Sequence, residues 1–274
     1  TNTPLSKASN TTSGQIFNAV IKRERRGDYL GKTVQFIPHI TNEIKSRILK
    51  CSMQKPDTDV VIVEIGGTIG DIESLTFLEA IRQFRNESPE DCLNIHLTYV
   101  PYLAAAGEVK TKPTQHSVQS LRQIGINPDI IVCRCEKPLD EDIKDKISQF
   151  CNVSKSAVID EPDVEFSIYE VPVQLKESQI DLMVCKKLNI EVSLSHDPDL
   201  SSLSSLVETI KKPKGTISIG IVGKYIEHQD AYKSVFESLE HAALNLGYLL
   251  DIRRILPDSL HSVDDCKKQL EGCV

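Results

Sequence analysis

The sequence predicts an α/β protein with parallel sheets, arranged in two parts. Short runs of β-branched residues alternate with segments of helical periodicity, and this alternation is the pattern that links parallel strands through crossover helices. The 274 residues are 40% hydrophobic. A chain of this size is expected to build one substantial core and to begin a second, because single cores rarely grow beyond about 250 residues.

The first part is predicted to hold four strands and at least two helices. The strands are expected at residues 33–37, 60–65, 95–100 and 130–133. One helix is expected at 72–84, where apolar residues recur every third position, and a shorter amphipathic helix at 117–124. The repeated order of strand and helix indicates a Rossmann-like sheet.

A change in composition after residue 190 marks the predicted boundary between the parts. Residues 191–208 are rich in Ser and Asp, and Pro198 and Pro213 interrupt the chain nearby, so 191–214 is interpreted as a linker with one short helix at 203–210. A strand at 216–222, an amphipathic helix ended by Gly247 and a strand at 248–256 follow. The predicted domains are therefore 1–190 and 215–274.

Composition narrows the classes of partner. The formal net charge of −7 argues against a nucleic-acid polymer, because such polymers are bound mainly through an excess of Lys and Arg. The eight cysteines contain no Cys-x-x-Cys pair, which indicates reduced thiols in a cytoplasmic protein rather than a zinc site. Neither a signal segment nor an apolar run of about 20 residues is present, so no membrane partner is expected. The chain starts at Thr1 without Met, and we expect it to be a piece of a longer protein.

The segment 60–73 is the first candidate site. The predicted strand 60–65 delivers Glu64 to its carboxyl end, where open α/β sheets bind ligands, and the glycines that follow let a turn approach phosphate closely. A single carboxylate there suits Mg²⁺, which one or two carboxylates and nucleotide phosphates usually hold. Asp71 and Glu73 could contact a ligand, but simple helix capping and turn formation explain these residues equally well.

The segment 107–116 is the second candidate site. Lys110 and Lys112 are followed by Pro113 and by a helix that opens with Thr114 and Gln115, which places ammonium groups beside free backbone donors. This arrangement suits phosphate. An exposed basic loop is the ordinary alternative.

Other charged residues have ordinary explanations as well. Lys146 lies among acidic residues on a predicted helix, Arg134 follows a predicted strand, and the charged run 22–28 is typical of a solvated helix end. No glycine-x4-glycine-lysine phosphate loop and no glycine-x-cysteine-x-glycine elbow occurs in the sequence.

Four motifs in a fixed order resemble the CTP synthase family. They lie at 22–31, 35–41, 63–73 and 107–117, and the similarity runs from about residue 13 to about residue 268. The second part resembles the opening of a class I glutamine amidotransferase at 219–225 and 230–234. The resemblance therefore implies a synthetase (amidoligase) domain followed by the start of a glutaminase domain.

The resemblance also implies a reaction and a set of roles. Family members phosphorylate the uracil 4-oxygen of UTP with ATP and Mg²⁺, and ammonia from glutamine then displaces the phosphate to form CTP. The implied metal ligand is Glu64, and the implied contacts of the ATP adenine are Arg134 and Val164. The implied UTP or CTP contacts are Asp71, Ile72, Glu73, Lys110, Thr111, Lys112, Pro113, Thr114, Gln115 and Lys146.

By the same resemblance, further parts are expected outside this sequence. The family's phosphate-binding loop and first magnesium aspartate would precede Thr1, and the glutaminase cysteine, histidine and glutamate would follow Val274. Family members form homotetramers, and GTP is an expected effector. Two alternatives stay open at this point: a catalytically silent module that binds UTP or CTP, and another ATP-dependent amidotransferase of the dethiobiotin-synthetase type.

Overall fold

The computed structural model describes residues 5–55, 58–192 and 198–273. The described residues group into two compact units, one drawn from 1–162 and 182–192 and the other from 163–181 and 193–274. Residues 193–197 of the predicted linker lie outside the described residues. The linear domain boundaries at 190 and 214 stay a prediction.

The first unit is built on a three-stranded parallel sheet. Its strands are β1 Ile95–Val100, β4 Ile130–Cys135 and β5 Val158–Pro162, with β4 in the centre. A short antiparallel hairpin, β2 Tyr102–Leu103 with β3 Glu108–Val109, follows β1. The strands predicted at 95–100 and 130–133 are confirmed, whereas β5 was not foreseen.

One face of this sheet packs against two helices, α4 Lys112–Gln123 and α5 Glu141–Cys151. The α4–α5 interface with the sheet contains the main buried cluster of this unit. Because successive strand residues point to opposite faces, these buried side chains alternate along β1. Members of the cluster include Val100, Val118, Ile131, Cys133, Ile147 and Val158.

Three helices precede the sheet, α1 Ser13–Arg26, α2 Thr41–Ser52 and α3 Leu75–Glu87. The predicted helix 72–84 is confirmed as α3 with a short 3-10 turn before it. The charged run 22–28 does form a helix end, because α1 stops at Arg26 and Gly27 adopts a φ of 82° beyond it. α2 was not predicted.

Two predicted strands are wrong. Residues 33–35 have no regular structure and Phe36–Ile40 forms a single π-helical turn, while residues 60–65 are irregular. Within the described part of the chain no strand pairs with 60–65, and Ile62 remains 90% exposed. An apolar run becomes a strand of a parallel sheet only when neighbours supply hydrogen bonds and both faces are covered.

The second unit contains a parallel pair of strands, β6 Thr216–Val222 and β7 Leu249–Ile255. Helix α9 Lys233–Leu246 joins them and ends at Gly247, whose φ is 89°. Helix α8 Ser201–Lys211 includes the predicted helix 203–210. These predictions of an α/β second part are confirmed. The remaining helices are α6 Val171–Glu177, α7 Ile180–Lys187 and α10 Val263–Gln269.

The α-helices found in the described ranges are all short, and the longest, α1 and α9, each contain 14 residues. None of the helices in these ranges combines the length and the apolar character that crossing a lipid bilayer requires.

Candidate functional site

The lysine-bearing turn 107–116 lies at the carboxyl edge of the first sheet. It leaves the β2–β3 hairpin directly after β1 and enters α4 at Lys112. The N–H of Lys110 donates to the carbonyl of Pro101 at 2.9 Å, which ties the turn to the end of β1. This edge is where open α/β sheets bind their ligands.

Three polar side chains of the turn are buried and hold α4 in place. The Thr114 hydroxyl lies 3.1 Å from the Thr98 hydroxyl on β1, and the Gln115 amide donates to the Thr111 hydroxyl at 3.0 Å. Pro113 occupies the second position of the helix. Thr111, Thr114 and Gln115 therefore position the backbone of the turn, and their side chains are directed into the protein.

The lysines of the turn lie on the surface and meet α5. Lys110 forms an ion pair with Glu108, and the pKa of Glu108 is lowered chiefly by the hydrogen bond from Lys110 and further by the charge of Lys146. The ammonium of Lys112 lies 5.8 Å from the ring centroid of Phe150, one turn beyond Lys146 on α5. The structure thus places Lys110 beside Glu108 and Lys112 beside Phe150, and Lys146 lies exposed on α5.

The acidic segment 64–73 has fewer features of a binding site than the lysine-bearing turn. Glu64 is exposed on an irregular segment, and the Asp71 carboxylate accepts from the N–H of Thr68 at 3.2 Å, so Asp71 closes a turn. Ile72 and Glu73 begin the 3-10 turn before α3, and Ile72 is 84% exposed. Within the described contacts, no hydrogen bond or ion pair joins Glu64 to Lys112. Their convergence on one ligand stays a prediction.

The two predicted ATP contacts lie in different units. Arg134 is exposed near the end of β4 in the first unit, whereas Val164 is half-buried in the second. In the strand register Arg134 stands between Tyr99 on β1 and Glu161 on β5. Burial raises the pKa of Glu161, and the charge of Asp160 adds to the effect.

Three residues near these sites received no role from sequence reasoning: Glu108, Phe150 and Glu161. Glu108 lies inside the 107–116 motif, so its charge beside two lysines was an available signal. Phe150 is 57% exposed, and an exposed aromatic residue on a charged helix was a second signal. Glu161 carried no such signal, because β5 itself was missed.

The carboxylates near the candidate sites limit how the implied magnesium ion could be held. Among the described residues there is no group of three or more His, Cys, Asp or Glu side chains able to hold a metal ion. A single exposed carboxylate such as Glu64 fits Mg²⁺ that also takes phosphate oxygens as ligands. It does not fit a site formed by protein ligands alone.

Parallel strands joined by helices, with the N-terminus of α4 at their carboxyl edge, define a Rossmann-like α/β domain. Comparison with known proteins narrows this class. The family model described as CTP synthase N-terminus matches residues 1–190. The chain belongs to the CTP synthase family.

Full-length relatives agree with this membership. The chain is 64% identical over 274 residues to a CTP synthase of Protochlamydia amoebophila (strain UWE25), covering 100% of this chain and 50% of that protein. It is 56% identical over 271 residues to a CTP synthase of Chlamydia caviae, and the match covers 98% of this chain and 50% of that protein. A CTP synthase of Chlamydia felis is 55% identical over 271 residues, and the match covers 98% of this chain and 49% of that protein. The chain thus spans about half the length of these curated relatives.

Proposed function

We propose that this chain is the synthetase part and the opening of the glutaminase part of an enzyme that aminates UTP to CTP. The enzyme is a ligase that uses ATP and ammonia derived from glutamine, in pyrimidine nucleotide biosynthesis. The observation that carries the proposal is the turn bearing Lys110 and Lys112, which lies at the carboxyl end of β1 and at the N-terminus of α4. The family membership and the 64% identity to a CTP synthase support it.

In this proposal the lysine turn binds the triphosphate of UTP, or of CTP as the product. Ammonium groups and the first backbone N–H groups of α4 form charge-assisted hydrogen bonds to phosphate oxygens. Glu108 keeps the Lys110 side chain over the turn, and the buried Thr111, Thr114 and Gln115 keep the helix start against β1. Asp71, Ile72 and Glu73 contact the pyrimidine nucleotide from their exposed turn.

The remaining proposed roles concern ATP and the metal. The family resemblance supports Arg134 and Val164 as contacts of the ATP adenine, and Glu64 supplies one oxygen ligand to Mg²⁺. When bound, the ion offsets negative charge on the nucleotide phosphates.

The proposed chemistry makes a leaving group. The uracil 4-oxygen attacks the terminal phosphorus of ATP as the ring nitrogen 3 loses its proton, which releases ADP and leaves a phosphate ester on carbon 4, now doubly bonded to nitrogen 3. Ammonia then adds to carbon 4, and inorganic phosphate departs with the bonding electrons as a proton is lost from nitrogen. The lysines act by orienting UTP through its triphosphate, so that carbon 4 is held where the ATP phosphate arrives.

Assembly, compartment and regulation belong to the same proposal. A homotetramer in the cytoplasm, with GTP as an effector, is what the family resemblance implies. Neither a nucleic-acid nor a membrane partner is proposed, given the net charge of −7.

One observation favours a second candidate function, a catalytically silent module that binds UTP or CTP. Residues 60–65 lie outside the sheet, and Glu64 has no ion pair within the described residues. The lysine turn, by contrast, is ordered by buried contacts. A dethiobiotin-synthetase-type enzyme, the other alternative, would share the sheet but is expected to lack the 107–116 turn.

Two measurements separate the candidates. Calorimetric titration of the 274-residue chain with UTP and with CTP should show binding that Lys112→Ala weakens, with Lys7→Ala as the matched control. A protein of the relatives' full length that carries this sequence should form CTP from UTP, ATP and ammonia in the presence of Mg²⁺. Ultraviolet absorbance measures the CTP that is formed. Nucleotide binding without CTP formation would favour the silent module, and the absence of both would refute the proposal.

A further inference from the structure

A basic hollow of about 440 Å³ opens between α1 and α2 in the first unit. It is separate in sequence from the 107–116 turn and from the acidic segment 64–73. Four cationic side chains, one hydroxyl and one carboxylate line it. These residues are Lys22, Arg23, Arg26, Ser46, Lys50 and Glu43.

The single carboxylate in the hollow is already neutralised from within the protein. Glu43 is 6% exposed, and its two oxygens pair with Arg23 and with Arg47, the latter at 2.8 Å. Arg47 also donates to the Gln15 carbonyl, which fixes the second arginine in this arrangement. Glu43 therefore cannot also neutralise the lysines at the mouth of the hollow.

The positive charges of the other cations are mostly not compensated by carboxylates of the described residues. Lys22 and Lys50 form no ion pair within the part of the chain that the structure describes. Arg26 pairs with Asp28 at 2.7 Å, but both side chains are exposed, so solvent screens the pair. The result is a concentrated positive surface on a chain whose net charge is −7.

The spacing of these residues places cations on both walls. Lys22 and Arg26 are four residues apart on α1, and Ser46 and Lys50 are four apart on α2, so each pair lies on one helix face about 6 Å apart along the axis. The Ser46 hydroxyl adds a neutral donor on the α2 wall. An anion with oxygens on several sides can contact both walls at once.

We infer that this hollow binds a small, multiply charged phosphate, either a free condensed phosphate or the phosphate tail of a nucleotide. Lysine and arginine together suit phosphate oxygens, lysine as a point charge and arginine as a fork. A solvated helix surface explains isolated lysines, but not three further cations, Lys22, Arg26 and Lys50, that line a hollow around a carboxylate already paired with Arg23 and Arg47. A nucleic-acid strand would extend beyond the hollow onto an acidic protein, which repels it.

Calorimetric titration with inorganic tripolyphosphate tests the inference on the full 274-residue chain. Lys22→Ser/Lys50→Ser should weaken binding at the hollow about tenfold, because two charge-assisted contacts are lost. Lys7→Ser/Lys32→Ser removes the same charge elsewhere in the first unit and should leave binding unchanged. Lys110→Ser/Lys112→Ser alters the lysine turn and should leave tripolyphosphate binding at the hollow intact. Failure of the hollow to bind is therefore distinguishable from failure of the proposed function, which depends on the turn.

Lysine acetylation followed by mass spectrometry gives a readout that needs no variant. Tripolyphosphate should protect Lys22 and Lys50 from acetylation, while Lys7 should react at its usual rate. The same acetylation experiment with ATP distinguishes a free condensed phosphate from a nucleotide. Equal protection of Lys22 and Lys50 by ATP and by tripolyphosphate indicates that the phosphate chain alone is sufficient for binding. Unaltered acetylation of Lys22 and Lys50 with both probes, or equal binding by the hollow and control variants, would overturn the inference.

Discussion

The ammonium of Lys112 lies 5.8 Å from the ring centroid of Phe150, which joins the first residue of α4 to the exposed face of α5. The same helix carries Lys146 one turn earlier, and Lys146 lies close enough to lower the pKa of Glu108. Through the contact between Lys112 and Phe150, the start of α4 lies against α5.

Lys112→Ala should weaken UTP and CTP binding together, by about tenfold each, because both ligands present the same triphosphate to this ammonium. Phe150→Leu should have a smaller effect, since it removes only the ring beneath the lysine. Calorimetric titration of both nucleotides measures this, with Lys7→Ala as the control. Unchanged CTP affinity in Lys112→Ala would place the triphosphate elsewhere.

Glu64→Ala should abolish magnesium-dependent CTP formation in a full-length protein while the fold stays intact. Glu64 is exposed and has no resolved ion pair among the described residues, so its loss should change the free energy of unfolding by less than about 0.5 kcal/mol. An assay of CTP formation measures the loss of turnover, and urea denaturation measures the stability of the fold. Glu90→Ala, a change of another exposed carboxylate in the first unit, should leave turnover unaltered.

Glu43→Ala should destabilise the first unit by about 2 kcal/mol. The change leaves Arg23 and Arg47 without their shared carboxylate, and removing one partner of a buried pair is costly, although the partly exposed arginines reduce the penalty. Urea unfolding followed by circular dichroism measures the loss. Glu87→Ala breaks the pair between the exposed Glu87 and the half-buried Lys45 and should cost less than about 1 kcal/mol, because the carboxylate that is removed is solvated. Equal losses in the two variants would contradict the assigned burial.

Asp129 should make the first unit sensitive to acid. Burial alone would raise the pKa of Asp129, but hydrogen bonds from Arg85 at 3.1 Å and from the N–H of Asn94 at 2.9 Å lower it overall. A carboxyl whose folded-state pKa lies below its unfolded value stabilises the fold above the unfolded pKa of about 3.9, and this stabilisation is lost as the pH falls through the folded value.

Asp129→Asn should therefore flatten the fall in stability below about pH 5. Urea midpoints measured between neutral pH and about pH 3 test this, with Asp91→Asn as a control on an exposed carboxyl. If Asp129→Asn and the parent chain lose stability in parallel, the pair with Arg85 does not govern the acid response.

Several elements were predictable from local pattern. The strands at 95–100, 130–133 and 216–222 were placed correctly, because each is a short β-branched run bounded by turn signals. The end of α9 at Gly247 was also predictable, since glycine tolerates the left-handed conformation that stops a helix. Residues 60–65 have the same apolar character and yet form no strand in the described structure.

By itself, the sequence determined the α/β class and the family, because these depend on residue types and their spacing along the chain. Only the tertiary structure decided that Thr114 and Gln115 are directed into the protein, that the Lys112 ammonium lies near the Phe150 ring, and that 60–65 is left out of the sheet. The reason is that side-chain burial, ion pairing and strand pairing each require a partner distant in sequence, and no local pattern names that partner.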